Sequence, residues 1–456
     1  MNLIIVGGGI SGLSAAYTLQ DSGHKVMLLE GSDRLGGKIL TTEIAGSFID
    51  AGPDSFLTRD PEMRDLCASL GLGDELVSPS AKSAKIWVNG VMHDLPKRHY
   101  LGVPLDLNEL EGLTIISSNG VSDARSDLDF PDNSPSGDES IGSLIRRRLG
   151  DEVMDNLVGP LLGGINAGNA NELSLEAGVP NLFHASRFHP SLILSIKEFL
   201  AAQNNDPSEP IFLTHPDGLQ RVVDALENQL FIDVRFNEKV REVRKVDGSW
   251  FVDGGQTYRT DAVLLCLPAF AASNIISDVA PKTSRLMSEI EYASMAFITL
   301  AFPSTDVPDF DGSGFLVGRD EGMLMTACSW TSAKWKHCDD GEKVFIRLSV
   351  GHFDDDRGLQ LSDDDLVKQL LAELETTTGI NIEPLAVRVT RWPNSFPQYG
   401  VGHKERVNGI LKELQTEAPG LFLAGAAFNG LGLSACVRDG TLKARTAIRY
   451  LEENFS

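Results

Sequence analysis

Cysteine, positive charge and long apolar runs are all scarce in this chain, and each scarcity excludes a class of protein. The five cysteines, at 67, 266, 328, 338 and 436, are odd in number and lack any C-x-x-C spacing, so neither a disulfide framework nor a cysteine metal site is expected. A reducing cytoplasm is the expected compartment. Lys and Arg number 40 against 64 Asp and Glu, and the resulting net charge of −24 opposes nucleic-acid binding. No apolar run reaches the roughly 18 to 20 residues of a membrane span; the charge-free stretch 262–277 is interrupted by Pro268, Ser273 and Asn274. The chain opens directly on an apolar strand, so no export signal is expected. The nine histidines are scattered, and no Ser-His-Asp, Cys-His or paired-carboxylate constellation is evident. That pattern suits chemistry needing no strong protein acid or base. The one concentration of positive charge, Arg146-Arg147-Arg148, reads as a solvated helix face.

What is present is a glycine-rich turn in an informative place. Residues 2–6 form a short apolar strand that runs into Gly7-Gly8-Gly9-Ile10-Ser11-Gly12, and a helical pattern follows to Leu19. Gly7, Gly9 and Gly12 fill the G-x-G-x-x-G slots: the first for a tight turn, the second for close backbone approach to a pyrophosphate, the third for helix–strand packing. The pyrophosphate is then expected on the helix N-terminus, where free N–H groups and the dipole favour negative charge. A second strand, 25–29, ends in Glu30, eighteen residues beyond Gly12, where a carboxylate can accept from ribose hydroxyls.

The next segment, Gly31-Ser32-Asp33-Arg34-Leu35-Gly36-Gly37-Lys38, resembles the second motif of the FAD oxidase superfamily that includes amine oxidases, phytoene desaturases and protoporphyrinogen oxidases. The resemblance sets Arg34 against phosphate and the bare backbone of Gly36-Gly37 beside the isoalloxazine. Near the other end, the Pro419-Gly420 turn, the strand 421–425 ending at Gly425, a glycine-broken loop and a helix from about Cys436 resemble the closing flavin motif.

Between these ends the punctuation predicts a helix from Pro61 to Leu70, a hairpin over 85–92, helices over 139–149 and 151–162 split by Gly150, and a loop or mobile segment over 118–137. A helix to Leu230 precedes strands at 233–236, 239–246, 250–252 and 261–267, and 286–374 alternates strands with a terminal helix. The expected fold is α/β (α+β overall): a discontinuous Rossmann-like FAD domain from 1–60, 210–280 and 385–456, a helical substrate-channel domain over 61–209, and a mixed-sheet substrate domain over 281–384.

The middle of the chain narrows the superfamily. Gly52-Pro53-Asp54-Ser55-Phe56-Leu57, residues 145–153, Pro160 to Gly168, Thr326-Ala327-Cys328-Ser329-Trp330-Thr331 with Lys334-Trp335, and Arg391 to His403 together resemble the protoporphyrinogen/coproporphyrinogen oxidase family, in its Gram-positive-type form, over nearly the whole chain. The resemblance implies FAD contacts at Gly7, Gly8, Gly9, Ile10, Ser11, Gly12, Glu30, Gly31, Arg34, Gly37, Lys38, Gly52, Pro53, Asp54, Ser55, Val240, Trp392, Gly425, Leu431, Gly432 and Leu433. It implies oxygen-dependent oxidation of coproporphyrinogen III to coproporphyrin III, a transient contact with ferrochelatase and a peripheral membrane contact. Two positions depart from the family pattern: Asn166 stands where relatives commonly carry Tyr, and Ser434-Ala435 where they commonly carry Pro-Asp.

Aromatising a porphyrinogen removes six electrons, and a flavin takes them in pairs, so the cofactor carries the hard step. For four propionates the cationic candidates are Arg59, Lys97, Arg98 and Arg187; for the macrocycle walls they are Phe56, Leu162, Ile165, Asn166 and Phe315. His403 is expected to pack. Protoporphyrinogen IX oxidase, amine oxidase and a non-catalytic FAD-fold carrier are the alternatives. The amine oxidases place a pair of aromatics where Ala426, Ala427 and Leu433 stand.

Overall fold

The computed structural model describes residues 1–81, 83–129, 136–202 and 209–455. The run Asn2–Val6 is apolar without alternation because both its faces are buried, as befits a central parallel strand. Leu3 and Ile5 enter a core with the helices Ile10–Leu19, Gln220–Gln229 and Leu433–Phe455, whereas Ile4 and Val6 enter a second core with Val243, Trp250 and the helices Ala269–Ile276 and His403–Glu417. The sheet is five-stranded and parallel, in the order Asp233–Arg235, Lys25–Leu29, Asn2–Val6, Ala262–Leu265, Leu421–Leu423. Segments more than 400 residues apart therefore meet within one sheet.

A mixed seven-stranded sheet forms the other layer. Its order is Ala386–Pro397, Tyr292–Pro303, Lys343–Val350, Met325–Trp330, Gly314–Val317, Lys85–Val88, Val91–Asp94. The pair Gly314–Val317 and Lys85–Val88 is parallel and the rest are antiparallel. The hairpin 85–94 and the strand 386–397 thus join this sheet, although they fall in stretches expected to be helical and cofactor-binding. One face is apolar: Ile298, Leu300, Ile346, Leu348, Cys328 and Phe315 pack on Leu366, Leu370 and Leu374 of the helix Asp363–Thr378. The alternating residues point the other way.

The third core belongs to the helical lobe. Gly150, at φ +87°, separates the two expected helices. The expected loop over 118–137 is corrected: Ser118–Arg125 is a helix capped by Ser117, whose Oγ accepts from Gly120 N–H at 3.2 Å, and a 3-10 turn follows to Asp129. Residues 130–135 of that expectation lie outside the described residues. Polar composition hid a helix whose Val121 and Ala124 are buried by the lobe.

The arginine triplet is also corrected, because each member is ion-paired. Arg146 meets Asp151 and Asp155, Arg147 meets Glu139, and Arg148 is buried against Asp127 with Nε donating to Oδ1 at 2.7 Å. Asp127 also accepts from Ser191 Oγ and from the N–H groups of Leu192 and Ile193 at the start of the next helix. Asp127→Ala is expected to destabilise the protein by about 3 to 5 kcal/mol, since the Arg148 guanidinium loses its buried carboxylate. A urea midpoint within error of the parent's would contradict this.

Candidate functional site

The three motif glycines separate physically. A Cβ on Gly7, which sits at φ +103°, would lie 2.6 Å from the Cys266 carbonyl oxygen, and one on Gly12 would run into the carbonyl of Gly7. Gly9 has ordinary φ, and a Cβ there meets nothing within 4 Å. Gly7 and Gly12 are therefore glycine for the fold's sake. At Gly9 the protein itself makes no such demand, and the open space suits a ligand. The helix Ile10–Leu19 has no side-chain cap and no acid in its first turn, an arrangement that suits an anion at its N-terminus. Gly432, just before the long C-terminal helix, is likewise open, and the two helices pack together with Gly440 against the Ser11 backbone. Ile10 and Ser11 are buried in the helix they begin.

Glu30 ends its strand beside this turn. Its Oε2 accepts from Gly8 N–H at 2.7 Å, and Oε1 accepts from the N–H and hydroxyl of Ser32 at 2.8 and 2.7 Å. A carboxylate offers about four acceptor sites, which leaves capacity for a ribose. The Val240 loop crosses the same strand end: Glu238 N–H donates to Glu30 O, Asn237 N–H to Ser32 O, and Gly31 lies against Lys239. The guanidinium of Arg34 donates to the carbonyls of Leu35, Ile39 and Gly37 and so secures its own loop. Gly37 is close to Gly9, and Lys38 is reachable by solvent yet surrounded by protein, so desolvation lowers its pKa.

The turn Asp50–Ser55 abuts that loop, for a Cβ on Gly52 would strike Lys38 O. The Asp54 carboxylate is already occupied: it accepts from Lys334 Nζ at 2.8 Å and Trp335 Nε1 at 3.3 Å and pairs with Arg347 at 3.3 Å. Burial alone would raise its pKa, but Lys334 and Arg347 outweigh that and hold it well below the carboxylate range. Ser55 Oγ donates to Asp54 as well, and Trp392 gives its indole N–H to Ala51 O at 2.8 Å. The Asp54 side chain is thereby committed to Lys334, Trp335, Arg347 and Ser55.

Two residues that hold the closing loop from outside it were not singled out from the sequence. Asp439, buried in the C-terminal helix, accepts from Gly425 N–H and Asn429 Nδ2, both at 2.8 Å. Tyr399 Oη donates to Ala426 O at 2.5 Å and accepts from Gly430 N–H at 2.9 Å. His403 stacks behind Tyr399 with ring centroids 3.9 Å apart, and burial lowers its pKa to about 4. Leu431, Gly432 and Leu433 follow this doubly pinned loop.

The face of the seven-stranded sheet opposite its core carries a lateral row, Thr390–Phe297–Ser349–Ala327–Leu316, set by the strand registers. All five are half-buried; Thr390 is on the edge strand and the other four are on inner strands, with Phe297 also resting against Ala293 and Met295. Gly164 closes on Leu316, and Ile165 beside it is 54% exposed. The expected walls are partly corrected: Phe56, Leu162 and Phe315 lie in three different cores, whereas Asn166 is buried, donating to Leu162 O and accepting from Gln398 through its carbonyl. Arg98 is taken up by Asp106 and Glu109, and Arg187 lies over the Phe183 ring at 3.8 Å and donates to Gly137 O. Arg59 is 55% exposed and 3.6 Å from Asp60, and Lys97 is exposed. The alternation in Thr326-Ala327-Cys328-Ser329-Trp330, apolar on one side and small on the other, is the signal that could have located the row.

A strand–glycine-turn–helix start on a five-stranded parallel sheet, with a separate mixed sheet whose outer face is incompletely covered, is the architecture of a dinucleotide-binding fold. Residues 10–448 match the model of the flavin containing amine oxidoreductases, and the chain belongs to that family. FAD is accordingly its cofactor and oxidation–reduction its chemistry. Coproporphyrinogen III oxidase of Bacillus subtilis is 34% identical, covering 99% of this chain and 98% of its own. Protoporphyrinogen oxidase 1, chloroplastic, of Arabidopsis thaliana is 25% identical over 95% of this chain and 85% of its own. A crystal structure from Exiguobacterium sp. 255-15, provisionally a protoporphyrinogen oxidase, superposes with TM-score 0.89 at 30% identity, covering 99% of both chains.

Gly9→Val should fold yet lose flavin, whereas Gly12→Ala should lower the melting temperature before anything else; a folded Gly9→Val protein with full flavin absorbance would contradict the assignment. Asp50 supplies a pH test. Burial, opposed by bonds from Thr41 and Leu219, raises its pKa from 3.8 to about 6. A raised acid stabilises the fold fully below the unfolded pKa and loses that contribution as pH rises through the folded one. The parent's advantage over Asp50→Asn should therefore shrink by on the order of 3 kcal/mol between about pH 4 and pH 7. Parallel urea-midpoint profiles for the two proteins would rule this out.

Proposed function

We propose that the chain oxidises coproporphyrinogen III to coproporphyrin III in haem biosynthesis, with oxygen as the final acceptor and hydrogen peroxide as the second product. The observation that carries the reading is the whole-chain similarity to coproporphyrinogen III oxidase, together with a half-buried row of small and apolar side chains on the outer face of the seven-stranded sheet. When bound, FAD supplies a two-electron hydride acceptor. The protein's task is then to hold the macrocycle flat. Phe297, Ala327 and Leu316 offer it apolar surface, Ser349 and Thr390 offer hydroxyls, and Ile165 a wall. Arg59 and Lys97 are exposed cations available to propionates.

The FAD contacts proposed are the Gly7–Gly12 turn, Glu30 with Gly31, Gly37 and Lys38, the Gly52–Ser55 backbone, Val240, the ring of Trp392, and Gly425 with Leu431–Leu433. In domain terms, 1–60, 210–280 and 385–456 hold the cofactor, with 61–209 and 281–384 for substrate; the strand 386–397 belongs by pairing to the substrate sheet. The five free cysteines support a cytoplasmic site of action, where transient transfer of product to ferrochelatase is part of the same proposal. Among the described residues no helix is long and apolar enough to cross a membrane.

Protoporphyrinogen IX oxidation is the second reading, favoured by the Exiguobacterium and Arabidopsis similarities. Porphyrin fluorescence developing in air decides between them: kcat/KM should be higher for coproporphyrinogen III, since a charge-assisted contact contributes roughly 1.5 to 3 kcal/mol and that substrate has two more propionates. Equal or reversed specificity would favour the second reading, and no fluorescence with either would remove both.

A further inference from the structure

The turn Asp50–Ser55 is held from the opposite sheet at successive backbone positions. Arg347 donates through Nη1 to Gly52 O at 3.1 Å and Asp50 O at 3.5 Å, and its Nη2 lies 3.3 Å from Asp54 Oδ2. Trp392 takes the intervening carbonyl of Ala51, and Lys334 and Trp335 complete the grip on Asp54. On its other side the turn rests on the cofactor loop: Ala51 N–H donates to Leu40 O at 2.7 Å, and Gly52 leaves no room for a side chain against Lys38 O. The same Arg347 guanidinium lies over the Phe297 ring, 4.9 Å from its centroid, and Phe297 belongs to the half-buried row. Its lateral neighbours in the sheet, Thr299 and Ser329, carry no charge to compete for it.

We infer that Arg347 is a positioning residue for the oxidation: one planar group touches both the turn against the cofactor loop and the floor beneath the substrate, and so fixes the gap between them. This rests on the reading that FAD lies against the turn and the porphyrinogen on the row. Beside Asp50, Asp54 and Arg347 there is room for about one water, about 10 Å³. Lys334 balances the Asp54 charge, whereas the two carbonyls and the ring need a fork that an ammonium cannot reproduce.

The test compares holoenzymes of the parent, Arg347→Lys and Arg347→Met by anaerobic flavin bleaching at saturating coproporphyrinogen III, expressed per bound flavin, alongside KM and the visible circular dichroism of the bound flavin. Arg347→Met should slow bleaching roughly tenfold to a hundredfold, the scale of a small misplacement of reacting groups. KM should change far less, the flavin dichroism should shift, and Arg347→Lys should fall in between. An unchanged rate per bound flavin, with only melting temperature or flavin content lowered, would overturn the inference. If Arg347→Met does not fold, a parental rate and dichroism in Arg347→Lys would overturn it equally. A parent enzyme bleached by neither coproporphyrinogen III nor protoporphyrinogen IX would instead defeat the functional reading, and the dichroism comparison would still decide whether Arg347 sets the environment of the flavin.

Discussion

The buried carboxylate of Asp54 is the centre of the contacts by which the seven-stranded sheet holds the turn 50–55. Lys334 and Arg347 come from the seven-stranded layer and Asp54 from the turn beside the cofactor loop, so the ion cluster spans the space between them. Removing such a carboxylate from water is costly, and the depressed pKa reflects two cations acting against that cost. A buried cluster of this kind is weak evidence of stability. Its clearer contribution is registry: the turn and the sheet can meet in one relative position that satisfies Lys334, Trp335 and Arg347 together.

Around that junction the cofactor side is built mainly from backbone. The space at Gly9 and Gly432, the uncapped helix start, and the loop pinned by Asp439 and Tyr399 all present peptide groups rather than reactive side chains. This agrees with an oxidoreductase whose hard chemistry lies in FAD, leaving the protein to orient and to exclude. The pairing of Tyr399 with His403 fits the same picture, because a histidine held neutral by burial serves as packing behind the loop.

Local signals were legible where chemistry and chain geometry coincide. The strand–glycine–helix start, the Gly150 break and the hairpin expected over 85–92 follow from turn and periodicity rules; all three recur in the structure, where the hairpin extends to Asp94. The helix Ser118–Arg125 did not announce itself, because its stability comes from a buried face of only a few residues within a polar segment. The arginine triplet looked solvated because its partners Asp127, Glu139, Asp151 and Asp155 are spread along the chain. Arg34 has the right charge for a phosphate, and its bonds to three carbonyls of its own loop were likewise not legible in the sequence.

By itself the sequence determined the dinucleotide turn, the apolar strand before it and the family resemblance, since each depends on residue type at short spacing. Tertiary structure decided which of the three glycines answers to the fold and which leaves room for a ligand, because that depends on whether Cys266 or Gly7 stands in the path of a missing Cβ. It also sent Phe56, Leu162 and Phe315 to separate cores while leaving Phe297, Ser349 and Ala327 half-covered. An apolar residue has the same transfer free energy wherever it is buried; only the packing of distant strands determines whether it faces a core or lies half-covered.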